Sequence, residues 1–277
     1  MPKVSVLTPM YNSTPQYLKD HIESILKQTF KDFEYILLND SPDNKELEKI
    51  VKSYNDNRII YIENPKNLGI AASRNVLLEK AQGEYIAMCD HDDVSYPDRL
   101  EKEVAYLDAH PETGVVSSNF IVNFNKRDIS NYPLNSYDIK TNLIVRGCVV
   151  LHTASMIRKS VLIKNNISWE PEYEPSDDYR LWTRLIDKTE FCNIKEPLVV
   201  YRVHSNNTTS NTIDKMKNME TRIKNELYSI YPYTAQLSSN SSCIKLFGIL
   251  PIIKKKAYGN NIKYLLFGFI PLLKIIK

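Results

Sequence analysis

The first third of the chain alternates between short apolar runs and stretches whose apolar residues recur at helical spacing. The apolar runs predict four strands, at residues 4–8, 33–38, 58–62 and 84–89. The intervening stretches predict three helices, the first capped by Thr14 or Ser13 and the next two near residues 43–54 and 69–81. Because the strands are apolar on both faces, this alternation indicates a parallel sheet covered by helices and joined by right-handed crossovers.

The rest of the chain is less regular. Helical patterns occupy residues 98–109, 137–145, 175–186 and 213–230. Three β-like runs lie between them, at residues 114–124, 147–162 and 198–204. The second of these runs contains His152 in an otherwise apolar context.

A polar cluster follows each of the first four predicted strands. The clusters are PMYN at residues 9–12, NDS at 39–41, NPKN at 64–67 and DHDD at 90–93. In open parallel sheets, ligands bind beyond the carboxyl ends of the strands. We therefore expect the four clusters to converge on one rim of the sheet and to form a ligand site there.

Three carboxylates, Asp90, Asp92 and Asp93, crowd the end of the fourth predicted strand, where like charges raise one another's pKa. Two explanations fit the sequence. In the first, Asp93 or Asp98 caps the following helix and the other acids lie in a solvated turn. In the second, the carboxylates bind a hard divalent cation such as Mg2+ or Mn2+, which prefers oxygen ligands.

Composition changes this picture at the C-terminus. The formal net charge of the 277 residues is +3, but the last 35 residues contain seven lysines and no Asp or Glu, which leaves 29 basic and 33 acidic residues in the rest. Within this basic tail, LFGILPIIK recurs as LFGFIPLLK after 20 residues. Proline inside both copies prevents one continuous helix, and we expect a tail of two short helical amphipathic units.

Four cysteines without a C-x-x-C pair predict small buried thiols in a reducing compartment rather than a zinc site or a disulfide framework. The first residues contain no apolar stretch long enough for an export signal. No run reaches the roughly 18 apolar residues that a transmembrane helix needs. We therefore expect a cytoplasmic protein, with no nucleic acid among its partners.

Six motifs occur in order along the chain: VSVLTPMYN, NDS, NLGIAASRN, CDHDD followed by PDRL, SDDYRLW and YRVH. Together they resemble the motif series of family 2 glycosyltransferases with the GT-A fold, over roughly residues 3–210. The resemblance implies a Rossmann-like, mostly parallel α/β sheet flanked by helices. It also implies an enzyme that moves one sugar from a nucleotide-sugar donor, for which we expect a UDP-sugar, to an acceptor hydroxyl.

For the diphosphate of the donor, the resemblance implies that Mn2+ or Mg2+ neutralises the departing negative charge. Asp92 matches the direct metal ligand of the family's D-x-D pair, and Asp90 matches the acid nearer the ribose and the metal-bound water. Asp93 is then a supporting or capping residue. His204 matches a family position near the diphosphate and the metal, although a lone histidine after a strand is more often structural.

The same resemblance assigns the nucleoside end of the donor. Asp40 matches the carboxylate that accepts a hydrogen bond from the nucleobase, and Thr8, Pro9 and Tyr11 shape the base pocket. Arg74, in the third predicted helix, reaches a phosphate or an acid of the D-x-D turn. The structural alternatives are an Asx-turn for Asp40, a core position for Tyr11 and a surface position for Arg74.

Transfer also needs a general base, because the acceptor hydroxyl loses a proton as it attacks the anomeric carbon. Asp177 and Asp178 match the family's acidic pair on the acceptor side, whose second acid usually acts as the base. We therefore assign the base to Asp178, and a single displacement with this base inverts the anomeric centre. As an alternative, one of the two acids is a helix N-cap.

The resulting prediction is an inverting, metal-dependent hexosyl- or N-acetylhexosaminyl-transferase of cell-surface polysaccharide assembly, acting on a glycan or lipid-linked acceptor. Two rivals remain. Sugar-phosphate nucleotidyltransferases have a similar sheet but usually place a glycine-rich loop after the first strand, whereas no glycine precedes Gly69 here. The second rival is a non-catalytic protein on a degenerate GT-A fold, which the intact Asp90, Asp92 and Asp178 argue against.

The predicted domain division is a GT-A domain at residues 1–212, a helix packed on it at residues 213–242 and the basic tail at residues 243–277. The tail either packs on the domain or lies in a lipid headgroup region with its lysines toward anionic lipid. Membrane contact fits a lipid-linked acceptor. In that case we expect the protein to be peripheral on the inner face of the plasma membrane.

Overall fold

The computed structural model of the protein describes residues 1–205, 207 and 212–232, together with the backbone of four strands within residues 243–276. The strands of the first part are β1 (Val4–Met10), β2 (Phe33–Asn39), β3 (Ile59–Glu63), β4 (Tyr85–Met88), β5 (Val94–Ser95), β6 (Thr113–Val122), β7 (Asn125–Ile129), β8 (Met156–Arg158) and β9 (Glu190–Tyr201). The helices are α1 (Pro15–Leu26), α2 (Lys45–Lys52), α3 (Ile70–Lys80), α4 (Arg99–Ala109), α5 (Ser136–Val145), α6 (Lys159–Asn165), α7 (Asp177–Leu185) and α8 (Ile213–Ile230).

These nine strands form one mixed sheet in the order β3-β2-β1-β4-β8-β6-β9-β5, with β7 paired to β6. The first four strands are parallel, with β1 between β2 and β4 and with β3 at the edge. The other half mixes directions, because β8 is antiparallel to β4 and β6 whereas β9 is parallel to β6. The predicted α/β sheet with flanking helices is confirmed.

Helices cover both faces of the sheet. Alternate residues of a strand point to opposite faces, and accordingly Leu7 packs in one hydrophobic cluster while Val6 packs in the other. Helices α1, α2 and α4 cover the Val6 face, and α3, α5, α7 and α8 cover the Leu7 face. Each fully buried Leu, Ile or Phe side chain contributes about 1.5–3 kcal/mol to folding. The two clusters therefore fix the sheet and the loops at its carboxyl edge.

One predicted strand is largely irregular. The apolar run at residues 147–162 contains a 3-10 turn at His152–Ala154, the three-residue strand β8 and the start of α6. Gly147, the first residue of this run, has a φ of 139°. This backbone conformation is not that of a strand, so the predicted strand cannot begin there. An apolar run does not by itself distinguish a buried strand from other buried segments, and this run is buried without pairing along most of its length.

Strand β9 begins eight residues earlier than the sequence predicts. This part of the strand contains the polar residues Lys195 and Glu196, so a pattern of apolar residues does not predict it. The β6–β9 register shifts here, so that Ser118 lies opposite Ile194 and Asn119 opposite Pro197. The side chain of Asn119 donates to the carbonyl of Lys195 at 3.0 Å and satisfies an acceptor at this irregularity.

The tail prediction is wrong in its secondary structure. Where the structure describes residues 243–276, they form an antiparallel sheet of β10 (Cys243–Leu246), β11 (Leu250–Tyr258), β12 (Asn261–Leu266) and β13 (Ile270–Ile276). Frequent isoleucines favour strands, and proline removes a helical hydrogen bond in each repeat copy. Among the described residues, no helix combines the length and the apolar character that a membrane crossing requires.

Candidate active site

A cleft of about 620 Å3 lies at the carboxyl ends of the first strands. The polar clusters that follow β1, β2, β3 and β4 all contribute to it, as the parallel arrangement predicts. Its lining includes nine of the ten predicted site residues, namely Pro9, Tyr11, Asp40, Arg74, Asp90, Asp92, Asp177, Asp178 and His204. The exception is Thr8, which is fully buried with its hydroxyl 3.0 Å from His21 Nε2. Thr8 therefore supports the pocket from behind and does not line it.

Asp92 and His204 meet at one end of the cleft. The Oδ2 atom of Asp92 lies 3.0 Å from His204 Nε2 and accepts a hydrogen bond from Asn207 Nδ2 at 3.3 Å. Asn207 also accepts the backbone N–H of His204, so one amide fixes both predicted ligands. Sequence reasoning missed Asn207, because nothing in the polar run after His204 distinguishes this amide from its neighbours.

This donor set fits a divalent cation that is shared with a substrate. In the described part of the chain, no three His, Cys, Asp or Glu side chains form a ready metal cluster. Mg2+ in particular is usually held by one or two carboxylates together with substrate phosphates rather than by a cage of protein ligands. Asp92 supplies such a carboxylate, and the His204 imidazole lies directly beside it.

Asp90 points toward a different partner. Its Oδ1 accepts a long hydrogen bond of 3.4 Å from Arg74 Nη2. Its backbone N–H donates a hydrogen bond to Thr153 Oγ1 at 3.0 Å. Burial raises the pKa of the Asp90 carboxyl, and the charge on Asp92 raises it further, while Arg74 opposes both. The two acids of the D-x-D pair thus face separate neighbours in this structure.

Asp93 has a structural role. Its Oδ1 accepts the backbone N–H of Arg202 at 2.8 Å, and its carbonyl accepts His21 Nδ1 at 2.8 Å. Because burial lowers the pKa of His21 to about 4, its ring is neutral and Nε2 accepts from Thr8. Asp98, the N-cap of α4, makes no side-chain cap bond. The cap explanation thus holds for the position of Asp98 alone, because Asp93 is buried and binds the backbone of Arg202 instead of lying in a solvated turn.

A buried arginine anchors the acidic turn from behind. Arg99, the arginine of the PDRL motif, is fully buried in the first turn of α4. Its guanidinium donates to five partners, which are Glu103, Cys89, Ser95 and the carbonyls of Met88 and Ser155. Every donor is thus satisfied, and the end of β4 is tied to α4 and β8. The motif marks Arg99 in the sequence, but its burial depends on contacts that spacing does not reveal.

Arg74 bridges the two groups of acids in the cleft. Its Nη1 donates to Asp177 Oδ2 at 2.6 Å, on the side opposite the contact with Asp90, and only 5 % of the residue is exposed. The surface alternative for Arg74 is therefore wrong. The predicted contact with an acid of the D-x-D turn is present, although Asp177 is the closer partner.

Asp177 and Asp178 form the first turn of α7. Ser176 occupies the N-cap position, so neither acid is the cap, although both lie where a helix N-terminus favours negative charge. Asp177 is buried against Arg74, whereas Asp178 is partly exposed and its Oδ1 accepts the N–H of Tyr179 at 2.6 Å. Burial and the neighbouring Asp177 raise the pKa of Asp178 to about 7, against the opposing effects of Arg74 and the Tyr179 N–H.

Asp40 holds the loop that leads into α3. Its carboxylate accepts Asn64 Nδ2 at 2.7 Å and the N–H groups of Leu68 and Gly69 at 2.9 and 3.1 Å. The Asx-turn at this strand end is made by Asn39, whose Oδ1 accepts the N–H of Ser41, and not by Asp40. Asp40 thus lines the cleft as a preorganised acceptor.

The cleft has an exposed ring beside the end of β1. Tyr11 directly follows β1 and is 55 % exposed, so it is not a core residue. Pro9 precedes it within the strand. The cleft is also lined by residues to which the sequence assigned no role, namely Glu174 and the aromatic residues Phe120, Tyr132 and Tyr201. In the sequence, the one indication of these residues is that Tyr132 and Tyr201 lie next to polar segments.

Comparisons with known proteins agree with this fold. The family model described as glycosyl transferase family 2 matches residues 5–165. An uncharacterised glycosyltransferase of Methanocaldococcus jannaschii is 34% identical over 236 residues, which cover 83% of this chain and 78% of the relative.

Two solved structures have a similar fold. The TarS structure of S. aureus with UDP has a TM-score of 0.62 at 20% identity. The superposition covers 84% of this chain and 70% of the TarS chain. The mannosyltransferase PcManGT of Pyrobaculum calidifontis, with GDP-Man and Mn2+, has a TM-score of 0.59 at 16% identity. The superposition covers 85% of this chain and 72% of the PcManGT chain. The fold is therefore that of GT-A glycosyltransferases, and the chain belongs to glycosyltransferase family 2.

Proposed function

We propose that the protein is an inverting, metal-dependent glycosyltransferase that moves a hexosyl or N-acetylhexosaminyl group from a UDP-sugar to an acceptor hydroxyl. One observation carries the proposal. Arg74 joins Asp177, beside the partly exposed Asp178, to Asp90 in a single cleft that also contains Asp92 and His204. A base on one side and cation ligands on the other are the two requirements of a displacement at an anomeric carbon.

In this reaction Asp178 takes the proton of the acceptor hydroxyl. The acceptor oxygen forms a bond to the anomeric carbon while the bond from that carbon to the phosphate oxygen breaks, and its electron pair leaves with the nucleoside diphosphate. Attack opposite the leaving group inverts the anomeric centre. Because a base is most effective when its pKa is near the working pH, the pKa of about 7 at Asp178 suits this role.

The rest of the cleft has supporting roles in this proposal. Asp92 and His204 would hold Mn2+ or Mg2+, which supplies charge neutralisation for the departing diphosphate. Asp40 and Tyr11 are placed to bind the nucleobase, by hydrogen bond and by ring contact respectively. Arg74 pairs with the buried Asp177 and so orients helix α7, which carries the proposed base.

A nucleotide-sugar donor is supported by the structural neighbours, one of which is in complex with UDP and another with GDP-Man and Mn2+. We propose UDP because of the resemblance of the motifs, and a cell-surface glycan or lipid-linked acceptor for the same reason. A panel of nucleotide-sugars, each with Mn2+, tests the donor by thermal stabilisation of the protein and by release of nucleoside diphosphate.

We expect one UDP-sugar to stabilise the protein and to release UDP, and EDTA to abolish both effects. Proton NMR of the product should show the anomeric configuration opposite to that of the donor. In a parallel assay with a nucleoside triphosphate and a sugar 1-phosphate, release of pyrophosphate would instead identify a nucleotidyltransferase. A folded protein that neither binds nor consumes any nucleotide-sugar would be the non-catalytic rival.

A further inference from the structure

Three aromatic side chains form one wall of the cleft, and the proposed donor and base chemistry does not use them. Phe120 lies near the end of β6, Tyr201 ends β9, and Tyr132 lies on the connection between β7 and α5. The rings of Tyr132 and Tyr201 both meet Phe120 edge to face, at centroid distances of 5.6 and 5.8 Å. All three are partly exposed to the cleft. We call these three residues the aromatic wall.

The aromatic wall is built in advance of any ligand. Asn119 Oδ1 accepts both the Tyr132 N–H at 3.0 Å and the Ser130 hydroxyl at 2.9 Å. The Ser130 hydroxyl also accepts the N–H of Phe120 at 2.9 Å, so the loop with Tyr132 is bound to β6. Preorganised rings lose little conformational entropy on binding, which suits a recognition surface.

The aromatic wall lies close to the proposed base. Burial raises the pKa of the Tyr132 hydroxyl, and the neighbouring ionisable groups of Cys148, Asp178 and Tyr201 raise it further. Tyr132 and Asp178 also line the same cleft. A ligand seated on the wall would therefore present its hydroxyl groups toward the carboxylate that removes the acceptor proton.

The chemistry of the wall selects a class of acceptor. A pyranose ring has one or two flat faces of C–H groups, with hydroxyls at its rim, whereas an acyclic polyol has no such face. The negative π-face of an aromatic ring attracts those C–H groups, and tyrosine adds a polar atom at the edge. Pockets of this kind combine apolar surface with a few placed polar groups.

We propose that the aromatic wall is the acceptor subsite and that it binds a pyranose ring of a glycan, with the attacking hydroxyl directed at Asp178. This inference rests on the proposed function and adds to it the class of acceptor. It differs from a mere packing role, in which the three rings would only fill space between β6, β9 and the connection to α5.

The test uses the full chain with Mn2+ and the UDP-sugar that the panel identifies. Release of UDP is measured with p-nitrophenyl pyranosides or with the acyclic polyols glycerol and ribitol as acceptors. We expect at least one pyranoside to accelerate release about tenfold or more over water, and the polyols to have little effect. Tyr132→Leu, which keeps apolar volume without a π-face, should raise the KM for that pyranoside at least tenfold.

Two further variants separate recognition from folding. Tyr132→Phe keeps the ring and should stay within threefold of the original KM. Tyr54→Leu removes a half-buried ring that packs on the opposite face of the sheet and should leave the KM unchanged. UDP affinity, measured by thermal stabilisation, should stay within twofold in Tyr132→Leu.

The outcomes are distinguishable. Acceleration by polyols but not by any pyranoside, or an unchanged KM in Tyr132→Leu, would overturn the acceptor subsite while leaving glycosyl transfer intact. If the original protein consumes no nucleotide-sugar even with water as acceptor, the proposed function fails and the acceptor subsite fails with it. An equal loss in Tyr132→Leu and Tyr54→Leu would assign the wall to packing alone.

Discussion

Asp92 is the residue on which the proposed cation site depends most, since it contacts both His204 and Asn207. We predict that Asp92→Asn lowers turnover about 100-fold or more, because charge stabilisation by a metal contributes several kcal/mol to the transition state. The Mn2+ dependence of UDP binding should be lost at the same time, which isothermal titration measures independently of activity. The exposed Asp43→Asn is the matched control. Unaltered turnover in excess EDTA would contradict this assignment.

Asp178 should show its role in the pH dependence of turnover. A base acts in its deprotonated form, and burial beside Asp177 raises the pKa of Asp178 to about 7. We therefore expect kcat/KM to fall about tenfold per pH unit below about 7 and to level off above it. A pH series of UDP release under saturating Mn2+ measures this limb.

Replacement of the same residue separates chemistry from donor binding. Asp178→Asn should lower turnover about 100-fold or more, remove the limb near pH 7 and leave UDP affinity almost unchanged. Asp177→Asn should instead disturb the helix, because it leaves the buried Arg74 without its closest partner. If Asp177→Asn alone lost turnover with an intact fold, the two roles would be reversed.

At this scale, the sequence predicts residue types well and their partners poorly. Motif order locates the acids of the cleft, because the polar ends of parallel strands must converge. It does not reveal that Arg74 joins Asp90 to Asp177, since those positions are more than 80 residues apart and meet only through the packing of α3 against the sheet. The contacts of Arg99 with the end of β4 and with Ser155 likewise depend on packing that residue spacing does not reveal.

Helix α3 begins at a glycine with an unusual conformation. Gly69 has a φ of 88°, and a Cβ added there would lie 3.0 Å from Glu174 Oε1. That carboxylate accepts the N–H of Ala71 at 2.8 Å and so caps the helix. The beginning of α3 thus has little room for a Cβ and a backbone conformation that would strain any residue other than glycine.

We predict that Gly69→Ala destabilises the protein by about 1–3 kcal/mol from the backbone conformation alone, with a further loss from displacement of Glu174. Urea denaturation measures the change. Gly147→Ala is the matched control, because Gly147 also has a positive φ but its nearest neighbour, Lys224 Nζ, is 3.6 Å from the added Cβ. Equal losses in the two variants would show that the contact with Glu174 adds nothing.

The regular elements differ in how far a local pattern determines them. Helix α8 begins and ends at the residues that periodicity predicts, and its Ile223 and Leu227 join the core. The apolar run at residues 147–162 predicts a strand that the structure has only at β8, because burial and pairing produce the same hydrophobic pattern. The amphipathic pattern of the tail predicts helices, whereas its isoleucine content favours the strands that the structure has.

For the molecule as a whole, the charge distribution predicts where it attaches. The last 35 residues carry seven lysines and no acids, and each lysine near an anionic surface contributes on the order of 1 kcal/mol within a Debye length of about 8 Å. We predict that the full chain sediments with anionic vesicles and that rising salt releases it. Truncation after Ser242 should abolish sedimentation while activity on a soluble pyranoside persists.

Neutral vesicles are the control for this experiment, since they remove the electrostatic attraction but keep the lipid surface. If the truncated chain unfolds or aggregates, the tail stabilises the domain, and the membrane proposal is replaced by a packing role. The proposed position on the inner face of the plasma membrane depends on this result.

The loop position of Tyr132 has a consequence for how acceptor preference can evolve. Phe120 and Tyr201 belong to paired strands, opposite Val199 and Val122 respectively, and Tyr201 is only three residues from His204. Mutations at those two rings therefore risk the sheet and the cation site together. Tyr132 lies outside the strands, anchored through its backbone N–H by Asn119, so its side chain can be exchanged without loss of that bond. If the aromatic wall binds the acceptor as proposed, we therefore expect acceptor preference to change first through substitution of Tyr132.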